Sequence, residues 1–198
     1  MKKPAIIIIH GDKFYDGSKD DKVYEALMLD YASQGYVALS VDYRLFREAR
    51  IPACIEDVKC AVRWLKANAE KYNVNTNRIG AYGHSAGGAM ALMLALSSDN
   101  KELEGDGPIL YLTGGNDDVA YGNACGDYDY ITKTPVVHMY DPSVGHGGTY
   151  GSSNGGGYGK LALLWLDWQL KDKTTNSKYF LTEKSSAYPN CVVKYKNF

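Results

Sequence analysis

Ser85 is the residue whose sequence surroundings most clearly predict a catalytic role, that of a nucleophile. The motif Gly83-His84-Ser85-Ala86-Gly87 matches the pattern G-x-S-x-G and directly follows the apolar run Ile79–Tyr82. An Ala/Gly-rich helical segment comes next, so Ser85 has the strand–turn–helix setting that exposes a nucleophilic hydroxyl. Side chains at positions 83 and 87 would collide with the neighbouring strand and helix. The alternative is a serine that only caps the helix, and the full pattern favours the nucleophile.

Several further motifs accompany this serine. In the first half they are Pro4–Gly11, Val41–Leu45, Ile55–Val58 with Val62–Leu65, and Asn77–Gly88. Together they resemble bacterial carboxylesterases of the α/β-hydrolase superfamily that are related to feruloyl and acetyl-xylan esterases. In the second half, Leu110–Tyr121, Gly145–Tyr150 and Trp165–Leu170 resemble a group of secreted α/β-hydrolases. The resemblance implies hydrolysis of carboxylic esters through an acyl-enzyme on the serine, without a cofactor.

A serine hydroxyl needs a base that removes its proton, and the base needs a third group that orients it. In α/β-hydrolases the order along the chain is serine, acid, histidine, which excludes His10 and His84. His138 lies inside the apolar run Val136–Tyr140 and is predicted to pack in the core. His146 follows that run on a glycine-rich turn, which can bring an imidazole over the edge of the sheet. We therefore predict that His146 is the base.

Two adjacent aspartates compete for the role of the acid. Many α/β-hydrolases carry Gly-x-x-Asp at the corresponding turn, and counting from Gly115 selects Asp118, whereas counting from Gly114 selects Asp117. In the secreted group that the second half resembles, the second aspartate position is the shared one. The resemblance therefore favours Asp118, and Asp117 would then cap the following helix.

The oxyanion of the reaction needs two preorganised backbone N–H donors. The resemblance assigns one to Ala86, directly after the nucleophile, and the other to the loop after the first strand. Related esterases have His-Gly-Gly-Gly in that loop, whereas this chain continues from His10-Gly11 with Asp12 and Lys13. Both residues must adopt a conformation that glycine adopts more easily, and the Asp12 carboxylate must point away from the oxyanion. We expect this departure to lower activity.

Apolar runs alternate with helical patterns, which predicts an α/β protein with a doubly wound, mostly parallel sheet. The predicted strands are Ala5–Ile9, Val37–Val41, Ile79–Tyr82, Ile109–Thr113 and Val136–Tyr140, with residues 191–194 as a further edge strand. The predicted helices are one after Asp20/Asp21 with Val23, Ala26, Leu27 and Tyr31 inside, Ala53–Tyr72, Gly87–Leu96, and a last helix burying Leu161, Leu164, Trp165 and Trp168. This is a reduced α/β-hydrolase fold of about five strands, with the ligand at the carboxyl ends of the strands.

The composition excludes several other classes of protein. The chain has 198 residues, which suits a single domain over 1–198 with a polar tail from 171, and its net charge is −1. A neutral chain without a basic stripe argues against nucleic acids and anionic membranes as partners. Its apolar runs are shorter than the roughly 20 residues of a membrane-spanning helix.

Neither the histidines nor the cysteines have the spacing that is typical of metal ligands. The first residues lack a signal-peptide cleavage site, so we expect a cytoplasmic protein or a processed, secreted form.

The segment between the serine helix and the fourth strand, residues 97–108, is short. Related esterases have another strand and often a lid there. The chain is therefore either a minimal hydrolase or one whose sheet is completed by a second copy, in a homodimer with exchanged elements. Little sequence remains for a lid, and an open cleft favours short-chain or carbohydrate-linked esters over long lipids.

Two other functions remain open at this level. A serine peptidase would use the same three residues, but the short chain without a gating domain argues against it. A weakly active or inactive binding protein would explain the altered His-Gly loop and the reduced sheet.

Overall fold

The computed structural model describes residues 1–96 and 107–198, which belong to two compact units, 1–105 and 106–198. Each unit contains one three-stranded sheet. The first unit comprises β1 (Lys3–Ile9), α1 (Lys22–Ser33), β2 (Val37–Val41), α2 (Ala53–Ala67), α3 (Ala69–Tyr72), β3 (Val74–Gly83) and α4 (Ala86–Leu96). The second comprises β4 (Ile109–Gly114), α5 (Tyr121–Tyr130), β5 (Val136–Asp141), α6 (Gly156–Lys171) and β6 (Val192–Lys196), with 3₁₀ turns at Ser153–Gly155 and Thr174–Tyr179.

The central strand of the first unit is β1, which pairs in parallel with β2 on one side and β3 on the other. Its residues Ala5 to Ile9 are completely buried, as expected for a parallel strand covered on both faces. Burying each isoleucine side chain contributes about 2 kcal/mol. Ile9 pairs with both Val41 and Gly83, so the three strands end at the same level. The segments that follow β1 and β3 therefore emerge side by side.

In the second unit, β5 is the central strand. It pairs in parallel with β4 and antiparallel with β6, which the tail supplies. On β5, Val136, Val137, His138 and Met139 are fully buried. Gly114 pairs with Asp141, so the loops after β4 and β5 also start at one level.

The α/β class and all five predicted strands are confirmed, and the predicted edge strand is β6. The strands are grouped in two sheets of three, whereas the sequence predicted one sheet. Hydrophobic periodicity identifies strands but carries no information on which strands are neighbours. The predicted connection 97–108 lies, as far as residue 106, outside the described residues.

Three helix predictions need correction. The helix predicted over Ala53–Tyr72 is interrupted at Asn68. Its side-chain amide donates to the Trp64 carbonyl at 2.8 Å and shares that carbonyl with its own backbone N–H at 3.0 Å, an arrangement that weakens a helix. In α1 the buried residues are Tyr24, Leu27 and Tyr31, in place of the predicted set with Val23 and Ala26. In α6, Leu161 and Trp165 are buried as predicted, whereas Leu164 and Trp168 are half-buried.

Among the described residues, we find no helix with the length and apolar character needed to span a bilayer.

Candidate active site

The turn that carries Ser85 connects β3 to α4. Ser85 has φ of 52°, a left-handed conformation that is strained for a residue with a side chain. The turn is compact: a Cβ atom added at Gly83 would lie 2.1 Å from the Gly87 carbonyl oxygen, and one added at Gly87 would lie 2.1 Å from the Ile9 carbonyl oxygen. The predicted collisions at these two positions are therefore confirmed.

Ala86 is the first residue of α4 and is buried. The Gly87 N–H bonds to the His84 carbonyl at 2.8 Å, which closes the turn, and the Ala89 N–H bonds to the Ser85 carbonyl at 3.2 Å. Ser85 therefore lies at a helix N-terminus, where the backbone dipoles favour a developing negative charge.

The loop after β1 lies against this turn. A Cβ added at Gly11 would be 2.9 Å from the His84 carbonyl oxygen and 3.4 Å from Ser85 Cβ. Asp12, Lys13 and Phe14 have φ values of 68°, 58° and 64°. The expectation that Asp12 and Lys13 adopt a glycine-like conformation is confirmed.

The Asp12 carboxylate lies on the side of the loop that faces Gly17. A Cβ added at Gly17 would be 2.9 Å from Asp12 Oδ2 and 2.7 Å from His10 Nδ1. His10 is buried and stacks on Tyr43 at 4.2 Å between ring centroids. Burial lowers the pKa of His10, although the Gly11 carbonyl and Asp42 act in the opposite direction.

Two buried tyrosines hold the loop. The Gly11 N–H donates to the Tyr24 hydroxyl at 2.8 Å, and the Tyr43 hydroxyl donates to the Gly11 carbonyl at 2.9 Å. Since the Gly11 amide is already bonded, an oxyanion would have to use the amides of Asp12 or Lys13. Sequence reasoning missed both tyrosines. The spacing of Tyr24 from Leu27 and Tyr31 was the available signal for its burial, but nothing indicated its hydroxyl contact.

Replacing Lys13 by glycine is expected to stabilise the protein by about 0.5–1 kcal/mol. Glycine removes the left-handed strain of roughly 1–2 kcal/mol, and its greater unfolded-state entropy offsets part of this gain. The Lys13 side chain is exposed. Urea unfolding of Lys13→Gly and Lys13→Ala provides the test. Alanine keeps the strain, so equal stability of both variants would contradict the explanation.

In the second unit, Asp118 and His146 form a hydrogen-bonded pair. His146 Nδ1 lies 2.7 Å from Asp118 Oδ1. An ionised carboxylate only accepts, so Nδ1 carries the proton and the lone pair of the neutral ring is on Nε2. This tautomer is the one that a general base requires, since Nε2 can then accept a proton.

The Asp118 carboxylate is fixed by backbone donors as well. Oδ2 accepts from the Gly114 N–H at 2.7 Å, and Oδ1 also accepts from the Ala120 N–H at 2.8 Å. Burial raises the pKa of Asp118, but the bonds from Ala120, His146 and Gly114 outweigh it, so the net pKa lies below the usual value. The carboxylate therefore stays ionised at neutral pH.

The structure separates the two aspartates that competed for the role of the acid. Asp118 is 4% exposed and contacts His146, whereas Asp117 is exposed. The capping role suggested for Asp117 is wrong: α5 has Ala120 at its N-cap and no side-chain cap. Asp118 instead accepts the Ala120 N–H, because its buried carboxylate folds back onto the turn.

His138 is buried in the core, as predicted. Its Nε2 lies 2.8 Å from Thr113 Oγ1, and burial, together with the nearby Lys194 charge, lowers its pKa to about 4. It is therefore neutral at physiological pH. Within the described parts of the chain, no cluster of three or more His, Cys, Asp or Glu side chains is suited to a metal ion.

The predicted site residues thus form two groups. Asp12, Lys13, Ser85 and Ala86 come together in the first unit, and Asp118 pairs with His146 in the second.

Comparison with known proteins identifies the family. The BD-FAE family model matches residues 1–133 of the 198. The chain belongs to the BD-FAE family. This BD-FAE protein is also similar to Esterase LipC from Mycobacterium tuberculosis, with 34% identity over 105 residues, which are 53% of this chain and 26% of LipC. The chain thus matches about a quarter of the length of that relative.

A solved structure extends the similarity to most of the fold. The thermophilic esterase Est2 from Thermogutta terrifontis matches the BD-FAE protein with a TM-score of 0.66 and 18% identity, over 87% of this chain and 82% of Est2. At this identity the match shows the fold alone. The predicted relationship to α/β-hydrolase carboxylesterases is confirmed.

Proposed function

We propose that this BD-FAE protein is a serine carboxylic-ester hydrolase that acts through an acyl-enzyme on Ser85. The observation that carries the proposal is the left-handed backbone of Ser85, with φ of 52°, in a turn closed at the start of α4. Strain of this kind costs roughly 1–3 kcal/mol and is concentrated at functional sites. A serine that only capped a helix would have extended backbone angles and no strain.

The proposed reaction uses the residues in defined roles. Ser85 Oγ attacks the ester carbonyl carbon, and His146 Nε2 takes the hydroxyl proton and passes it to the leaving alcohol. Asp118 holds His146 in the required tautomer through the 2.7 Å bond. The amides of Ala86 and of Asp12 or Lys13 stabilise the oxyanion. Water then attacks the acyl-enzyme by the same steps, and the carboxylic acid leaves.

A polar cleft opens beside His10, one residue before Gly11, which lies against the Ser85 turn; Ser85 itself does not line this cleft. Its volume is about 480 Å³, and it is open to solvent. Its walls include hydroxyl and charged groups, namely Ser18, Asp42, Arg44, Glu48 and Asp57. A wall of hydrogen-bonding groups suits a hydroxyl-rich alcohol or a short acyl group better than a long alkyl chain. Together with the resemblance to feruloyl and acetyl-xylan esterases, the polar cleft near the serine turn leads us to propose short-chain or carbohydrate-linked esters, including acetyl and feruloyl esters.

Labelling with a fluorophosphonate probe tests the nucleophile. The wild-type protein should be labelled, and Ser85→Ala should lose labelling together with hydrolysis of p-nitrophenyl acetate. Ser33→Ala is the matched control, since the Ser33 hydroxyl is exposed on α1 and donates only to the Asp30 carbonyl. This control should be labelled like the wild type.

The other functions predict different results. Labelling that persists in Ser85→Ala would contradict the serine mechanism. A wild-type protein that is not labelled would also contradict this mechanism and would favour a binding protein. Cleavage of a peptide bond in preference to p-nitrophenyl acetate would favour the peptidase. A higher kcat/KM for p-nitrophenyl octanoate than for p-nitrophenyl acetate would contradict the proposed substrate class.

A further inference from the structure

Asp141 is a buried carboxylate at the end of β5 that the proposed mechanism does not use. It is 1% exposed. Its Oδ1 accepts from the Ser143 hydroxyl at 2.6 Å and from the Ser143 N–H at 2.9 Å, and its Oδ2 accepts from the Tyr188 hydroxyl at 2.7 Å. Burial raises the pKa of Asp141, but the bonds from Ser143, Tyr188 and Asn190 outweigh it and keep the net pKa below its usual value. A buried charge held in this way fixes its partners strongly.

The bonds of Asp141 join two segments that are distant in the sequence. Ser143 begins the loop that leads to His146, whereas Tyr188 and Asn190 belong to the C-terminal tail. The Tyr188 ring also packs against α6, since a Cβ added at Gly157 would lie 2.7 Å from its Cδ2 atom. The tail is thus held against the start of the histidine loop by both packing and a hydrogen bond.

The same loop is tied to the turn that carries Asp118. The Val144 N–H bonds to the Asp141 carbonyl at 3.3 Å, and the Val144 carbonyl accepts from the Gly115 N–H at 3.4 Å. A Cβ added at Gly114 would lie 2.2 Å from the Val144 carbonyl oxygen, so the two loops are in close contact. A shift of the Asp141–Ser143 segment would therefore change the distance between Asp118 and His146.

Tyr158 of α6 braces the ends of both strands. Its hydroxyl donates to the Thr113 carbonyl of β4 and accepts the Asp141 N–H at 3.1 Å. Its ring packs edge-on against Tyr188, at 5.8 Å between centroids, and also lies under Gly148, where an added Cβ would be 2.6 Å from it. The histidine loop is therefore supported at its start by Asp141 and near its end by Tyr158.

We infer that Asp141 and Tyr188 are positioning residues, which hold the loop 141–148 so that His146 Nδ1 meets Asp118. This inference rests on the proposed function for its effect on turnover, while its effect on the hydrogen bond is independent of that function. Neither residue is assigned a contact with substrate. A displacement of about 1 Å at a reacting group can cost up to roughly a hundredfold in rate, so the anchoring of this loop affects kcat.

Tyr188→Phe tests the inference with little disturbance of packing, because it removes only the hydroxyl. Tyr195→Phe is the matched control: it removes a hydroxyl from the same tail, at a side chain that is 42% exposed. Asp141→Asn is a second variant, which places an amide where the carboxylate accepts hydrogen bonds. Two quantities are measured below the unfolding temperature: the kinetics of p-nitrophenyl acetate hydrolysis, and the downfield proton resonance of His146 Nδ1.

In Tyr188→Phe and Asp141→Asn, we expect kcat to fall by about tenfold or more, with KM nearly unchanged. The Nδ1 resonance should shift upfield or broaden, while Tyr195→Phe matches the wild type in both measurements. A purely structural role would lower the melting temperature of Tyr188→Phe but leave the resonance and kcat unchanged, and this result would overturn the inference. If neither the wild type nor any variant hydrolyses the ester, but the His146 Nδ1 resonance still changes in Tyr188→Phe and Asp141→Asn, the positioning role is supported and the proposed function fails.

Discussion

Replacing Asp118 by asparagine is expected to reduce kcat by about 10³–10⁴-fold. Asp118 Oδ1 accepts from both His146 Nδ1 and the Ala120 N–H, and Oδ2 accepts from the Gly114 N–H. An amide nitrogen in the place of Oδ1 would face two donors and force His146 into the wrong tautomer. An amide nitrogen in the place of Oδ2 would face the Gly114 N–H. The first orientation breaks the pair with His146, and the second loses the bond from the Gly114 N–H that fixes the side chain.

Asp117→Asn is the matched control, because it makes the same chemical change one residue earlier, at an exposed side chain. We expect it to retain kcat within about twofold. The kinetics of p-nitrophenyl acetate hydrolysis measure both variants, and circular dichroism verifies that they are folded. The assignment of the acid is overturned if Asp117→Asn loses activity while Asp118→Asn keeps it.

Gly87→Ala is expected to lower the free energy of unfolding by about 3 kcal/mol or more. The added Cβ would lie 2.1 Å from the Ile9 carbonyl oxygen and 2.6 Å from that of His10. Both atoms belong to the backbone at the end of β1, whose side chains are completely buried, so they cannot move without disturbing the core of the first unit. The turn at Ser85 would have to open instead.

Gly126→Ala provides the control for this substitution. Gly126 lies within α5, and an added Cβ there has no atom within 4 Å. Alanine at this position should stabilise the protein by about 0.5–1 kcal/mol, since glycine is a poor helix former. Urea unfolding measures both effects. A Gly87→Ala variant as stable as the wild type would show that α4 and β1 are not packed as closely as described.

The sequence was sufficient to predict the local structure around Ser85. The strand, the serine and the helix are contiguous, and the glycines required by the turn are the signature itself. Chain order and the glycine turn limited the choice of the base to His146, whereas the glycine count left Asp117 and Asp118 open and only the resemblance favoured Asp118. Each of these features depends on residues that are close in the sequence or on a fixed order.

Contacts between distant segments could not be predicted in the same way. The hydroxyl of Tyr24 binds the Gly11 amide, and the hydroxyl of Tyr188 binds Asp141, although 47 residues separate the latter pair. The chain contains 17 tyrosines. Neither the periodicity of a helix nor the composition of a loop shows which tyrosine hydroxyl forms a buried hydrogen bond. The division of the strands into two sheets was hidden for the same reason, since strand pairing is a non-local property.

The antiparallel position of β6 has a consequence for biosynthesis. Translation delivers the serine turn and the β1 loop that lies against it before β4 exists, and domains fold as units while the chain emerges. The second sheet, in contrast, leaves one edge of β5 uncovered until residues 192–196 have been made. That edge belongs to a fully buried, mostly apolar stretch, Val136–Met139, and such an edge promotes aggregation. A ribosome that stalls shortly before Val192 therefore presents a nascent chain with a formed serine turn and a strand available for mispairing.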